Sequence, residues 1–105
     1  MELEIRRQDA HLDATMREFV ERRITFALRP FENRVSRVTV NLDDVNGPRG
    51  GVDKQCRILV SLRRASPVKV EDLDFDLASA VGRAADRAGN AVARRIERRR
   101  HHKGG

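Results

Sequence analysis

Leu3 and Ile5 alternate with Glu2, Glu4 and Arg6, the two-residue period of a strand with one apolar face. The spacing predicts a first strand over Glu2 to Arg7. The period then changes: Met16, Phe19, Val20, Ile24 and Ala27 recur every three or four residues, as on a helix with one buried stripe. Asp13 is placed to cap that helix and Pro30 to end it, because a carboxylate accepts the free N–H groups of a first turn and proline has none to donate. A helix is therefore expected from Ala14 to Leu28. Alternation returns with Val38, Val40 and Leu42 on one side and Arg37, Thr39, Asn41 and Asp43 on the other, and a second strand ends at Asp43-Asp44. From Lys54 to Arg63, Cys56, Ile58, Val60 and Leu62 repeat the pattern. Between these strands lies Asn46-Gly47-Pro48-Arg49-Gly50-Gly51, dense in turn formers, so the two make a long hairpin. After a turn at Arg64 to Pro67, Val68 and Val70 give a short fourth strand.

From Asp76 onward the chain winds again. At roughly 100° per residue, Leu77, Val81, Ala84, Ala85, Ala88, Val92 and Ile96 share a stripe, while Arg83, Arg87, Arg94 and Arg98 form another about 140 to 180° away. The apolar phase continues through Arg95 and Arg99. Beyond Ile96 nothing apolar is left to pack, so the helix must overhang the sheet or fray. The order β-α-β-β-β-α, with one apolar face per strand, predicts an α+β two-layer sandwich: a four-stranded mixed sheet with both helices on one face. The helical crossover makes the first two strands parallel if they are neighbours, and the hairpins are antiparallel. No linker or repeat divides the chain, so one domain over 1–100 and an unstructured tail over 101–105 are expected.

Of the 105 residues, 39% are hydrophobic and 36% charged, with no Trp or Tyr, which predicts a small aliphatic core. No stretch approaches the ~18 apolar residues of a membrane span, and MELEIRR lacks an apolar signal region. A cytoplasmic protein is expected. The single cysteine, Cys56, excludes an internal disulfide and alternates with core positions, so it reads as a small buried hydrophobe. His11, His101 and His102 lie near element ends or in the tail without metal-ligand spacing, so neither a metal site nor a cofactor is expected. No Ser, Cys or Thr has a histidine in the sheet or its loops, which argues against nucleophilic catalysis and against an enzyme. The NGPRGG segment lacks the Lys-Ser/Thr ending of a phosphate loop and joins two strands; it reads as a hairpin tip presenting Arg49. Asp43, Asp44 and Asp53 flank that hairpin, where acids ordinarily serve backbone hydrogen bonds.

Charge sharpens the picture. The net charge is +6, and the segment from Asp76 to Gly105 holds eight Lys/Arg against three acids, a net +5. The cations are nearly all arginine, the better phosphate fork, and few acids stand where they could form i,i+4 pairs. A solvated face is the bland alternative. It is the stronger reading on the first helix, where Arg17, Arg22 and Arg29 are interleaved with Glu18 and Glu21. A polyanion suits the second helix better than a membrane does, because its apolar stripe is mostly alanine and valine.

Specific stretches carry a resemblance. Leu12-Asp13-Ala14-Thr15-Met16-Arg17-Glu18-Phe19-Val20, the strand DKQCRILVSL, Asp76-Leu77-Ala78-Ser79-Ala80-Val81, then Ala84, Asp86-Arg87 and Arg94-Arg95 resemble, in order and spacing, the ribosome hibernation promoting factor and ribosome-associated inhibitor family, also named for sigma-factor modulation. The resemblance covers nearly the whole chain. It implies a short-form factor that binds small-subunit rRNA in the channel for mRNA and the A- and P-site tRNAs, blocks translation by occupancy, and is a monomer off the ribosome. Pairing ribosomes would then need a second hibernation factor, since the chain stops where long forms carry a dimerising domain. The implied RNA contacts are Arg17, Arg23 and Arg29 on the first helix and Arg83, Arg87, Arg94 and Arg98 on the second, with Arg49 as a loop contact. Arg23 stands near the apolar stripe, where its stem can cover the core. The sequence departs from the family at Ala78, usually aromatic, at Asn90, commonly basic, and at Gly82 and Gly89, each costing a helix roughly 1 kcal/mol against alanine. Two alternatives stand beside this: a structured-RNA module of the double-stranded RNA-binding type, whose α-β-β-β-α core this order contains, and a protein-interaction domain whose arginines only solubilise it.

Overall fold

The computed structural model describes residues 1–8, 11–45 and 52–104, with side chains through residue 98. Residues 9–10 and 46–51, including Arg49, and the side chains of 99–105 lie outside the described residues; over 101–104, where an unstructured tail is expected from the sequence, the backbone is helical. The elements are β1 (Glu2–Arg7), α1 (Ala14–Leu28), a 3-10 turn (Arg29–Phe31), β2 (Val35–Asp44), β3 (Lys54–Leu62), β4 (Val68–Asp74) and α2 (Leu77–Gly104). They form one four-stranded sheet in the order β1-β2-β3-β4. β1 and β2 are parallel, and the other two pairs are antiparallel. This is the α+β sandwich that the alternation predicts.

Register explains why one face is buried. Ile5 stands beside Val40, Val40 opposite Ile58, and Ile58 opposite Val70, so one apolar row crosses the whole sheet. Val20, Ile24 and Leu28 of α1 and Val81, Ala84, Ala85, Ala88 and Val92 of α2 close over it with no exposed surface. α2 lies over β3 and β4, and α1 packs beside it. Asp13 caps α1 by accepting the Met16 N–H at 2.8 Å. Asp76 does the same for α2, accepting the Ser79 N–H at 3.0 Å and its hydroxyl at 2.9 Å. Pro30 falls inside the 3-10 turn that follows α1, so the helix tightens before it stops.

β4 differs from the sequence expectation: it continues past Val70 to Asp74, placing Asp72 opposite Cys56 and Asp74 opposite Lys54. The apolar alternation ends at Val70 because the next two helix-facing positions are carboxylates. Strand pairing continues because α2 supplies the countercharge. Burial among apolar neighbours, and secondarily Asp72, pushes the Cys56 thiol up to about 12, so it is an inert core group.

Gly82 and Gly89 of α2 mark the contact with α1. A Cβ at Gly89 would lie 2.9 Å from the Ala27 carbonyl oxygen, closer than side-chain carbons approach backbone. A Cβ at Gly82 would meet only the tip of Arg23, at 3.4 Å. The glycine that lowers helix propensity at residue 89 is what lets the helices touch.

Candidate nucleic-acid interface

The arginines separate into those held within the fold and those left outward. Arg83, on the β4 side of α2, donates to Asp72 at 2.9 Å, to Asp74 at 2.6 Å and to the Leu73 carbonyl at 3.1 Å. Arg87 donates to the Glu71 carbonyl and, at 3.4 Å, to Asp72. Both guanidinium side chains remain about half exposed, at 52% and 55%. Each retains a solvent-facing edge, but its charge is opposed by the carboxylates of β4.

The same contacts set the acid behaviour. The Arg83 guanidinium, with Arg87 behind it, holds the Asp72 carboxyl below the usual carboxylate range. Asp74 is lowered chiefly by the Asp76 backbone N–H and then by Arg83, and Arg83 itself is held more firmly protonated. A carboxylate whose folded pKa is depressed adds stability above its unfolded pKa, near 3.9, and that stability is lost as pH falls through the folded value. The thermal midpoint is therefore expected to drop between about pH 5 and pH 2, and the Asp72→Asn, Asp74→Asn double variant to lose part of that dependence. An acid profile unchanged by the double substitution, measured by circular dichroism, would show that these pairs contribute nothing.

Arg23 lies across the helix pair. From α1 it donates to the Gly82 carbonyl at 3.0 Å and to Asp86 at 3.1 Å, and 34% of its side chain is exposed. It braces the two helices, in keeping with a stem that packs. Arg95, in line with the apolar stripe, donates to the Ser66 and Pro67 carbonyls at 3.0 and 2.9 Å. Arg34 reaches the Arg63 carbonyl at 3.1 Å. Together they clamp the β3–β4 turn from two sides, with Arg64 in the left-handed region at φ 61°.

Arg17, Arg22, Arg29, Arg94 and Arg98 are exposed, and among the described residues their side chains have no hydrogen bond or ion pair. On α1 this matters, because Glu18 and Glu21 do not neutralise their arginine neighbours by direct contact. Arg63 and Arg64 are also exposed with no side-chain partner among the described residues. Helix periodicity could not find them, since they sit on a turn. Their signal is the Arg-Arg pair itself, at the hinge of a hairpin. The acids beside the long hairpin serve local contacts: Asp43 accepts the Asp44 N–H at 2.8 Å, and Lys54 places its ammonium 2.6 Å from Asp44 and 3.6 Å from buried Asp53. Among the described residues, Lys54 is the cation of that cluster.

A single mixed sheet, backed on one face by two helices that carry uncompensated arginines, defines a small α+β sandwich with a basic outer layer. Among solved structures, the chain is similar to the Protein Y N-terminal domain of Thermus thermophilus, with 25% identity and a TM-score of 0.73 over 90% of this chain and 98% of that one. It is also similar in fold to a ribosomal subunit interface protein from Coxiella burnetii, with 14% identity and a TM-score of 0.77 over 90% of this chain and 96% of that one. No protein-family profile and no curated protein sequence matches. The chain has the fold of the ribosome hibernation promoting factor family, which both structures fit.

Proposed function

We propose that the protein is a non-enzymatic, cytoplasmic ribosome-binding factor of the hibernation type. It anchors on small-subunit rRNA and inhibits translation by filling the channel that mRNA and the A- and P-site tRNAs occupy. The observation that carries this is the likeness, over 90% of the chain at 25% identity, to the Thermus Protein Y domain. Arginines without internal partners supply the physical means: fixed cations displace counterions from phosphates and need no catalytic group. In this scheme Arg17, Arg29, Arg94 and Arg98 are the main contacts. Arg83 and Arg87 add their outward edges, Arg49 contributes from the hairpin tip, and Arg23 acts chiefly by bracing α1 against α2. Off the ribosome the protein is a monomer, and a second hibernation factor is a further partner in this scheme.

Sedimentation of lysate from starved cells tests the scheme. Co-migration with ribosomes at low salt, released as salt is raised, is the expected result. Free protein at every salt concentration would overturn it.

A further inference from the structure

We infer that Phe26 is a stacking platform for an unpaired nucleobase of the ribosomal RNA, set at the outer cleft between α1 and α2; this rests on the ribosome-binding reading above. Single exposed apolar side chains are ordinary on protein surfaces, but the surroundings of this one are not. Phe26 is 70% exposed and forms a ridge between two open clefts. One is bordered by Arg22 and Arg29, the other runs over Gly89 and Asn90 of α2. Arg22, four residues before it, and Arg29, three after it, share its helix face. Both are exposed and without a side-chain partner among the described residues. Glu21 lines the first cleft as well, and Asp86, the acid of the second, is engaged by Arg23 at 3.1 Å.

This combination is the chemistry of single-stranded RNA recognition. Cations on either side hold the flanking phosphates, and an aromatic face between them takes a base, which stacks whatever its identity. At the floor of the second cleft α1 and α2 meet at Gly89, and the exposed Asn90 amide offers both a donor and an acceptor to a base edge. Phe75, similarly exposed at 68%, stands between Asp74, which Arg83 engages, and Asp76, which caps α2, and no Lys or Arg lies within four residues of it in the chain to hold a flanking phosphate. Charge complementarity therefore singles out Phe26. A hydrophobic segment of a ribosomal protein is the competing occupant.

Purified small ribosomal subunits are the probe. Phe26→Ala is expected to weaken co-sedimentation roughly tenfold while leaving the salt slope unchanged, because no phosphate contact is lost. Phe26→Leu, apolar but without a π face, should behave like the alanine variant, and all three should melt alike because the position lies outside the core. Phe26→Trp is expected to bind like the parent and to report directly, since the chain has no other tryptophan: stacking on a base quenches its fluorescence. If the parent binds subunits but Phe26→Ala or Phe26→Leu binds as tightly, or if the tryptophan brightens and shifts to the blue as in an apolar protein pocket, stacking is refuted and ribosome binding stands. If the parent does not bind subunits at low salt, the ribosome-binding reading fails and this inference with it.

Discussion

Replacing Arg17, Arg29, Arg94 and Arg98 together with glutamine is expected to lower ribosome affinity by about two orders of magnitude and to flatten its salt dependence by roughly 3 log units per log unit of salt, at ~0.7 to 0.9 per phosphate contact. Folding should be untouched, because none of the four side chains has a hydrogen bond or ion pair among the described residues. The Arg83→Gln, Arg87→Gln pair separates binding from structure. It removes the guanidinium groups that face Asp72 and Asp74, and side chains only 12% and 21% exposed then keep their charge without a countercharge from α2. That variant should unfold at lower temperature and lose less of the salt slope than Arg94→Gln, Arg98→Gln does. Binding isotherms at several salt concentrations, with melting curves on the same preparations, test both halves. Equal slopes for the four-fold variant and the parent would remove the helix faces from the interface.

Gly89→Ala is expected to destabilise the protein by about 1 to 2 kcal/mol even though alanine is the better helix former. Its Cβ would sit 2.9 Å from the Ala27 carbonyl oxygen, so the two helices must separate or shear. Overpacking of this kind costs about 1 to 3 kcal/mol, which exceeds the gain of up to ~1 kcal/mol in propensity. Gly82→Ala should do the opposite. Its Cβ meets only the end of the flexible Arg23 side chain at 3.4 Å, so the propensity gain survives and stability rises by up to about 1 kcal/mol. Urea unfolding midpoints at constant m value provide the measurement, with about 4 to 8 °C of thermal midpoint per kcal/mol in a domain of this size as a cross-check. If both substitutions shift stability in the same direction, the close crossing of α1 and α2 at Gly89 is not the constraint described.

Periodicity made most of the architecture legible. β1 and α1 begin and end where alternation and capping place them, because Leu3-Ile5 and the Asp13–Met16 contact are local features of the chain. The end of β4 was hidden for a physical reason. Asp72 and Asp74 face the helices, and a carboxylate in a core-facing position reads as a loop until its countercharge is known. That countercharge comes from Arg83, a turn and a half into the next element, and no local pattern links the two. The loss of apolar phase after Ile96 was visible in sequence, and Ile96 is the last buried residue of α2 among those described.

By itself the sequence determined what depends on neighbours in the chain: element type, the face each element buries, the caps, and a charge excess concentrated on α2. Only the tertiary structure decided what each arginine does, because two guanidinium groups of equal helical phase differ once one finds a carboxylate across the fold. Arg83 and Arg87 meet the acids of β4, Arg23 and Arg95 brace elements distant in sequence, and Arg94 and Arg98 are left outward. Ion pairing acts through space at a few ångströms, and helical periodicity does not encode that distance.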